Sequence, residues 1–410
     1  MSETLPSDAL PDELLHALHD EVERAFEGEQ LPFFQRLVEQ PSHTYAKDDV
    51  EAAHLVVDAL ADELGLAREL HPDPGGRFAD HRVYRTPATG AEDRAVALVG
   101  HVDTVFPRSL GFLRFERDGD VARGPGVLDM KSGLSSILFA LRALKAARPE
   151  RYAQLKARFV CVSDEEVGSP SSAPLYEALA PRTDAALVFE AGRDEDRVVV
   201  ARKGAGAFRL TARGRAAHAG NRHHEGVNAI VALSLVIPRV EGLTDYARGL
   251  TLNVGLVEGG TAKNTVPDSA TCVVDARFIH LEDGAHLLRA LDEIAADPFR
   301  GLDGEVVTRV REATFELSGG ISRPPMEAHD DSQRLRERYE VHARAAGLKT
   351  GAAPLQGGGS DANLLAAQGV PCIDGLGPYG QHFHKVEEWS SLESLKRRTQ
   401  ALACFLASIA

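Results

Sequence analysis

Short apolar segments that each end in a histidine or an acidic residue are the feature of this sequence that most constrains its fold. Residues 95–99 (AVALV) run into GHVD, and residues 158–162 (RFVCV) run into SDEE. A third segment, residues 185–189 (AALVF), is followed by Glu190. The sequence between the first two segments predicts a helix over residues 132–146. Buried strands alternating with helices are typical of an α/β fold with a largely parallel sheet.

The pattern changes near residue 203, which indicates a second domain. The elements predicted there are strands at 206–213, 250–258 and 270–279, and helices at 226–240 and 283–297. This mixture is typical of a small α+β domain. After Gly319-Gly320 the chain returns to helices, a glycine loop and a short strand. We therefore predict a catalytic α/β domain in two parts, residues 1–203 and 318–410, interrupted by an inserted domain at residues 204–317.

Composition excludes several classes of protein. The chain has 61 acidic and 46 basic residues, a formal net charge of −15, which argues against a general nucleic-acid binder. Its four cysteines form no CxxC pair, so we expect buried, reduced thiols rather than a disulfide framework or a thiolate zinc site. Residues 1–30 lack the apolar centre of a secretory signal, and no apolar run reaches the roughly 18 residues that span a bilayer. We expect a cytoplasmic protein that binds neither nucleic acid nor membranes.

The polar residues at the predicted strand ends and in two loops are of the types that bind divalent metals. The candidates are His101, Asp103, Asp129, Glu165, Glu166, Glu190, His382 and His384. Any one of them alone is more often an ordinary surface or hydrogen-bonded residue. Ligands gather at the carboxyl ends of the strands in open α/β sheets, and buried carboxylates are costly unless they are paired or bind a cation. Nitrogen and carboxylate donors without thiolates favour zinc, with cobalt or manganese as substitutes.

These residue types are sufficient for two metals. Two metals about 3.5–4 Å apart would share one bridging carboxylate, and each would need a histidine and a terminal carboxylate. Two histidines and three carboxylates supply that set. Asp103 could turn back to accept the second N–H of the His101 imidazole. One of Glu165 and Glu166 would then remain as a general base.

Longer motifs around these residues span almost the whole chain. They are GHVDTV (100–105), GPGVLDMKSGL (124–134), SDEEVGS (163–169), FEAG (189–192), GRAAHAGN (214–221), GGTAKNTVP (259–267), DARF (275–278), GGGSDAN (357–363) and HKVEE (384–388). In kind and order they resemble those of the aminoacylase/carboxypeptidase family of dinuclear zinc hydrolases. That family includes acetylornithine deacetylase, succinyl-diaminopimelate desuccinylase and bacterial glutamate carboxypeptidase.

The resemblance implies how two zinc ions would be held. His101, Asp129 and Glu166 would hold one of them. Asp129, Glu190 and His384 would hold the other, with Asp129 as the bridge.

The resemblance also implies metal-assisted amide hydrolysis. Glu165 would be the general base, and Asp103 would support a ligating histidine. His384 is preferred to His382 as the last ligand, because Glu388 follows His384 at the spacing of the family motif.

For the inserted domain, the resemblance implies a ferredoxin-like lid that mediates homodimerisation. His218 would stabilise the oxyanion, often across the dimer interface. The implied substrate-binding residues are Asn264, Arg277, Gly358, Gly359 and Ser360. Arg277 suits a two-bond grip on a carboxylate, although it could be an ordinary strand-edge charge. The glycine loop would seat a carboxylate at a helix start, where Ser360 could also act as the N-cap.

We therefore predict a zinc-dependent hydrolase of small peptides or N-acyl amino acids that releases an amino acid with a free carboxylate. Glu190, where other relatives have aspartate, and HAGNRHHEGVNAI resemble glutamate-type carboxypeptidases and N-acyl amino acid deacylases. One alternative is a biosynthetic deacylase of the acetylornithine or succinyl-diaminopimelate type. An alternative of a different class is a non-catalytic binding or assembly module on the same fold.

Overall fold

The computed structural model describes residues 9–410, which form two compact units. The first unit comprises residues 9–201, 328–356 and 360–410, and the second unit comprises residues 202–327 and 357–359. Residues 1–8 of the predicted catalytic domain lie outside the described residues. The main segment of the second unit ends at residue 327 rather than at the predicted 317, because a strand covers residues 314–323.

Strands and helices are numbered in chain order. The strands are β1 (Ala67–His71), β2 (His81–Arg85), β3 (Ala95–His101), β4 (Glu116–Asp118), β5 (Val121–Arg123), β6 (Ala157–Val162), β7 (Thr183–Val188), β8 (Gly204–Arg213), β9 (Ala217–His218), β10 (Thr251–Gly259), β11 (Thr265–Val266), β12 (Ser269–Phe278), β13 (Thr314–Arg323), β14 (Cys372–Ile373), β15 (Gly380–Gln381) and β16 (Trp389–Ser391). The helices are α1 (Asp12–Ala25), α2 (Leu31–Glu39), α3 (Lys47–Leu64), α4 (Lys131–Ala147), α5 (Pro149–Tyr152), α6 (Ala173–Leu179), α7 (Ala229–Glu241), α8 (Leu281–Ala296), α9 (Glu305–Val310), α10 (Asp330–Ala345), α11 (Asp361–Ala366) and α12 (Leu392–Ile409).

A six-stranded sheet in the order β1-β2-β6-β3-β7-β14 forms the centre of the first unit. The strands from β6 to β14 run parallel, and β1 and β2 add antiparallel pairs at one side. β6 is buried throughout and β3 almost throughout, as expected for apolar strands covered on both faces. The predicted α/β class with a largely parallel sheet is confirmed.

Helix α4 packs directly against the chain that leaves β7. Gly133 lies in the first turn of α4, where a Cβ atom would be 2.3 Å from the carbonyl oxygen of Phe189. Because only glycine fits at that distance, the start of the helix can approach the backbone closely. The loop in front of α4 is thereby brought to the carboxyl end of the sheet.

The second unit has the chain order β8-α7-β10-β12-α8-β13, disregarding the short elements. Its strands lie in the order β10-β12-β8-β13, and all neighbours are antiparallel. This is the ferredoxin-like βαββαβ arrangement, which confirms the predicted fold of the inserted domain. Apolar residues of α7 and α8, among them Leu233, Val236, Leu287 and Leu291, pack with the sheet into one core.

Strand β13 corrects the prediction of a break at Gly319-Gly320. Both glycines lie inside the strand, where Gly319 pairs with Phe208 of β8. Gly319 has a φ of +95°, and a Cβ there would be 2.2 Å from the carbonyl oxygen of Ala207. Glycine therefore serves here for close approach between strands and does not mark a linker.

Two predictions from composition can be compared with the structure. All four cysteines are buried and form no disulfide. None of the helices within residues 9–410 has the length and apolar character needed to span a membrane.

Candidate metal centre

The carboxyl edge of the central sheet brings the candidate residues together. His101 is the last residue of β3, and Glu190 follows β7 by two residues. Glu165 and Glu166 begin a short 3-10 helix after β6. Asp129 lies in the loop before α4. Because neighbouring parallel strands end at one edge, residues distant in sequence become neighbours here.

The imidazole of His101 has a defined orientation. Its Nδ1 lies 3.0 Å from the carbonyl oxygen of Asp103 and 3.3 Å from the Oδ1 atom of Asp103. Both partners can only accept hydrogen bonds, so Nδ1 carries a proton. The Nε2 atom lies 3.2 Å from Asp129 Oδ1 and 3.7 Å from Glu190 Oε1. The second nitrogen therefore faces two carboxylates.

The second histidine approaches the other side of Asp129. Nε2 of His384 lies 3.2 Å from Asp129 Oδ2 and 3.0 Å from Glu166 Oε2. Each oxygen of Asp129 thus faces a different imidazole, as a bridging carboxylate would. His382, the other candidate, belongs to neither group of metal-compatible side chains found among the described residues.

The distances group the candidate ligands differently from the predicted sets. One group contains His101, Glu165 and Glu190, and the other contains Asp129, Glu166 and His384, with the donor atoms of each group within 4.8 Å of one another. The sequence-based sets placed Glu166 with His101 and Glu190 with His384. The sequence could not decide which glutamate pairs with His101. The strand that ends in His101, β3, lies between β6 and β7, so Glu166 after β6 and Glu190 after β7 are both its neighbours.

The titratable side chains of this site have strongly shifted pKa values. Burial by itself raises the pKa of Asp129, but hydrogen bonds to His101 and His384 outweigh it and hold that pKa well below its usual range. Burial and the charge of Asp129 raise the pKa of Glu166 to about 7 and that of Glu190 well above its usual value. Hydrogen bonds to Asp129 and Glu166 raise the pKa of His384 to about 11. Buried carboxyl groups with raised pKa values, here Glu166 and Glu190, fit a divalent metal, whose charge would offset their burial.

Asp103 supports more than one part of the site. Besides contacting His101, its buried carboxylate accepts the backbone N–H groups of Glu165 and Glu166, each at 3.3 Å. It also accepts the hydroxyl hydrogen of Thr44 at 2.7 Å. Asp103 therefore fixes the turn that carries the two glutamates, in addition to the support for His101 that the sequence predicts.

His218 lies on the two-residue strand β9 of the second unit. Its Nδ1 accepts the backbone N–H groups of Gly220 and Asn221, each at 3.2 Å. A backbone N–H can only donate, so in the neutral ring the proton lies on Nε2. The tight turn after His218 thus leaves Nε2–H as a hydrogen-bond donor.

The other two predicted residues of the second unit lie on its strands. Asn264 directly precedes β11, and its carbonyl accepts the N–H of Ala219 at 3.0 Å, next to His218. Arg277 of β12 forms two hydrogen bonds with Asp275, at 2.9 and 3.0 Å. The Arg277 guanidinium is therefore paired with a carboxylate of its own strand.

The glycine loop ends in a helix cap. The Ser360 hydroxyl accepts the N–H of Ala362 and donates to Asp374 at 2.6 Å, and it caps the six-residue helix α11. The N-cap interpretation of Ser360 is confirmed. Gly358 and Gly359 belong to the second unit, where the carbonyl of Gly358 accepts a hydrogen bond from Arg202 at 3.1 Å. The carboxylate seat in this loop stays a prediction.

Sequence reasoning missed several supporting contacts. Thr44 contacts Asp103 from 59 residues away, and no local signal indicates this. Lys131 is buried beside the Asp129 loop and donates to the carbonyl oxygen of Gln40 at 2.8 Å. A single lysine among the otherwise uncharged first residues of α4 is a weak signal that this lysine has a special partner.

Comparisons with known proteins found a matching family model and several relatives. The model of Peptidase family M20/M25/M40 matches residues 97–408. The chain is similar to carboxypeptidase G2 of Pseudomonas sp. (strain RS-16), at 28% identity over 367 residues, which cover 89% of this chain and 85% of the relative. It is 26% identical over 386 residues to the succinyl-diaminopimelate desuccinylase of Novosphingobium aromaticivorans, covering 88% of this chain and 93% of that one. The resemblance found in the sequence is confirmed.

Solved structures support the fold. Aminopeptidase PepT from Bacillus cereus matches with a TM-score of 0.76 and 21% identity, covering 93% of this chain and 98% of that one. At this identity the likeness shows the shared fold.

Proposed function

The chain belongs to peptidase family M20/M25/M40, and on that premise we propose a dinuclear zinc hydrolase that cleaves an amide bond and releases an amino acid with a free carboxylate. The family and the relatives reported above show that the protein is a metal-dependent hydrolase related to carboxypeptidase G2 and to the desuccinylase.

The observation that carries the proposal is the position of Asp129 between His101 and His384, with one oxygen 3.2 Å from each ring. We propose His101, Asp129 and Glu190 as the first ligand set. Asp129, Glu166 and His384 form the second ligand set. Nitrogen and oxygen donors of this kind suit zinc, with cobalt or manganese as substitutes. Bound metals would supply Lewis acidity and lower the pKa of a water molecule.

In this proposal Glu165 handles the proton. Its carboxylate would take a proton from the attacking water and return it to the leaving nitrogen. Two features support this role. Glu165 lies with His101 and Glu190 in one cluster, and its backbone N–H is held by Asp103.

His218 is proposed to stabilise the oxyanion. A neutral imidazole with its proton on Nε2 can donate a hydrogen bond to a developing negative charge. The two backbone hydrogen bonds to Nδ1 support this, because they favour that tautomer over the other.

Two observations support a substrate with a free carboxylate. Arg277 offers a planar guanidinium on the sheet of the second unit. A relative whose alignment covers 89% of this chain is named a carboxypeptidase. The similarity to the desuccinylase favours a second candidate, a deacylase of N-acyl diamines. The non-catalytic alternative has no support, since all proposed ligands and the base are present.

We further propose that the chain forms a homodimer through the second unit. β10 is an edge strand of its sheet, so one side of its backbone has no partner strand among residues 9–410. Leu256 and Val257 on this strand are 62% and 56% exposed. Exposed apolar edges of this kind are protected when a second strand pairs with them.

Metal reconstitution with substrate screening tests the proposed activity. Protein stripped with a chelator and reloaded with zinc is expected to bind two ions per chain. It should then hydrolyse N-acyl amino acids or peptides at the C-terminus. Preference for acylated diamines would favour the second candidate. Turnover restricted to dipeptides with a free N-terminus would contradict the proposed substrate class.

A further inference from the structure

Glu388 is a fully buried carboxylate that reaches the loop carrying Asp129. It lies four residues after His384 and just before β16, and its exposed fraction is 0%. Its Oε1 atom accepts the backbone N–H of Leu128 at 2.7 Å and that of Asp129 at 3.2 Å. Leu128 lies 260 residues earlier in the sequence. One side chain thus joins two loops that both carry residues of the proposed metal centre.

The segment between His384 and Glu388 is itself a compact turn. The N–H of Lys385 donates to the carbonyl of His382 at 3.1 Å, and the N–H of Glu388 donates to the carbonyl of Lys385 at 3.0 Å. Two hydrogen-bonded turns, at residues 382–385 and 385–388, therefore connect His384 with Glu388.

The other oxygen of Glu388 indicates what the residue does. Within residues 9–410, Oε2 of Glu388 is buried and has no hydrogen-bond partner. A buried polar atom without a partner costs free energy, so an apolar side chain would fill this space more favourably. The two bonds to the backbone of the Asp129 loop are the interactions that offset this cost. These bonds indicate that the role of Glu388 is to hold the Asp129 loop in place.

We propose that Glu388 is a positioning residue that holds Asp129 and His384 at the spacing required by the second ligand set; this inference rests on the proposed dinuclear centre. We expect the geometry of the first ligand set to depend less on Glu388. There, His101 is fixed by β3 and by Asp103. Loss of Glu388 should therefore weaken one metal position more than the other and produce a half-loaded protein.

Metal titration of three Glu388 variants tests this. Glu388→Ala removes the hydrogen-bond acceptor, and Glu388→Asp shortens the side chain that carries it. Glu388→Gln retains an oxygen that can accept both N–H groups. For Ala and Asp, we expect one Zn²⁺ to bind as in the wild type and the second to bind about 10–100-fold more weakly. Glu388→Gln should restore most of the second affinity. Cobalt titration followed by visible absorption should show the second phase displaced in the same two variants.

Glu340→Ala is the matched control. Glu340 is also a buried carboxylate of the first unit, and it accepts the N–H of Gly351 at 2.8 Å. This variant should lower the midpoint of thermal unfolding and leave both metal affinities unchanged. If Glu388→Ala fails to fold, Glu388→Asp carries the comparison.

Two results would overturn the inference about Glu388. In one, the folded variants bind both metals with wild-type affinity. In the other, both affinities fall equally. Failure of the proposed function looks different, because wild-type protein would then bind two metals without hydrolysing any amide, or would bind none.

Discussion

The carboxylate of Asp103 accepts the backbone N–H of Glu166 at 3.3 Å, which ties the end of β3 to the turn that follows β6. The same carboxylate accepts the N–H of Glu165 and lies 3.3 Å from Nδ1 of His101. One buried side chain therefore orients a proposed ligand from each of two neighbouring strands and the proposed base.

Asp103→Ala should affect metal binding and turnover together. Loss of a side chain that orients ligands typically lowers metal affinity by about 10–100-fold. Zinc stoichiometry and kcat/KM, measured side by side, check this. Asp118→Ala, a change at an exposed position of β4, is the control. Full zinc binding and activity in Asp103→Ala would contradict the role.

Glu165→Gln should separate metal binding from chemistry. We expect both zinc ions to be retained and kcat to fall by about 10²–10⁴-fold, the usual contribution of general acid–base catalysis. Metal analysis and steady-state kinetics on the same sample make the measurement. Glu150→Gln, at an exposed position of α5, should behave as wild type. A Glu165→Gln rate close to wild type would show that another group is the base.

His218→Ala should lower kcat by about 10²–10³-fold, the effect of removing one oxyanion donor, and leave the zinc content unchanged. The tautomer provides an independent check. In ¹⁵N spectra of the imidazoles, the neutral His218 ring should carry its proton on Nε2. His224→Ala, an exposed neighbour, is the control. A proton on Nδ1 would contradict the hydrogen bonds from Gly220 and Asn221.

Leu256→Lys should weaken the proposed dimer, because a lysine on an edge strand opposes strand pairing. Sedimentation across a range of concentrations should show a larger monomer fraction than in the wild type. Ser318→Lys places the same charge on β13, at the opposite edge of the sheet, and should leave the dimer intact. A monomeric wild type would remove the basis of this prediction.

His54 predicts acid sensitivity of folding. Burial, together with the charges of Arg82 and His81, holds the pKa of His54 well below 6.5, and its Nε2 lies 2.8 Å from the Ser163 hydroxyl. Only the unfolded chain takes up this proton near pH 6.5, so stability falls as pH drops below 6.5. Between pH 6.5 and 5.5, the metal-free wild type should lose up to about 1 kcal/mol more than His54→Gln in the free energy of unfolding. Urea titrations at both pH values measure the difference, and equal losses would contradict the assignment.

Much of the framework follows from the sequence. Apolar segments predicted the strands β3, β6 and β7, and the sequence between the first two of them predicted helix α4, each within a few residues. These elements are set by local periodicity and by burial on both faces, which short stretches of sequence encode. The histidine and acidic residues at the strand ends were identifiable for the same reason, since their position depends only on where each strand stops.

The tertiary structure decided how those residues meet. Strand order put β3 between β6 and β7, and only the folded sheet shows that Glu190 turns towards His101 and Glu166 towards His384. The bonds from Glu388 to the Asp129 loop join segments 260 residues apart. Spacing along the chain carries no information on such contacts, because they depend on packing between elements whose order in space differs from their order in sequence.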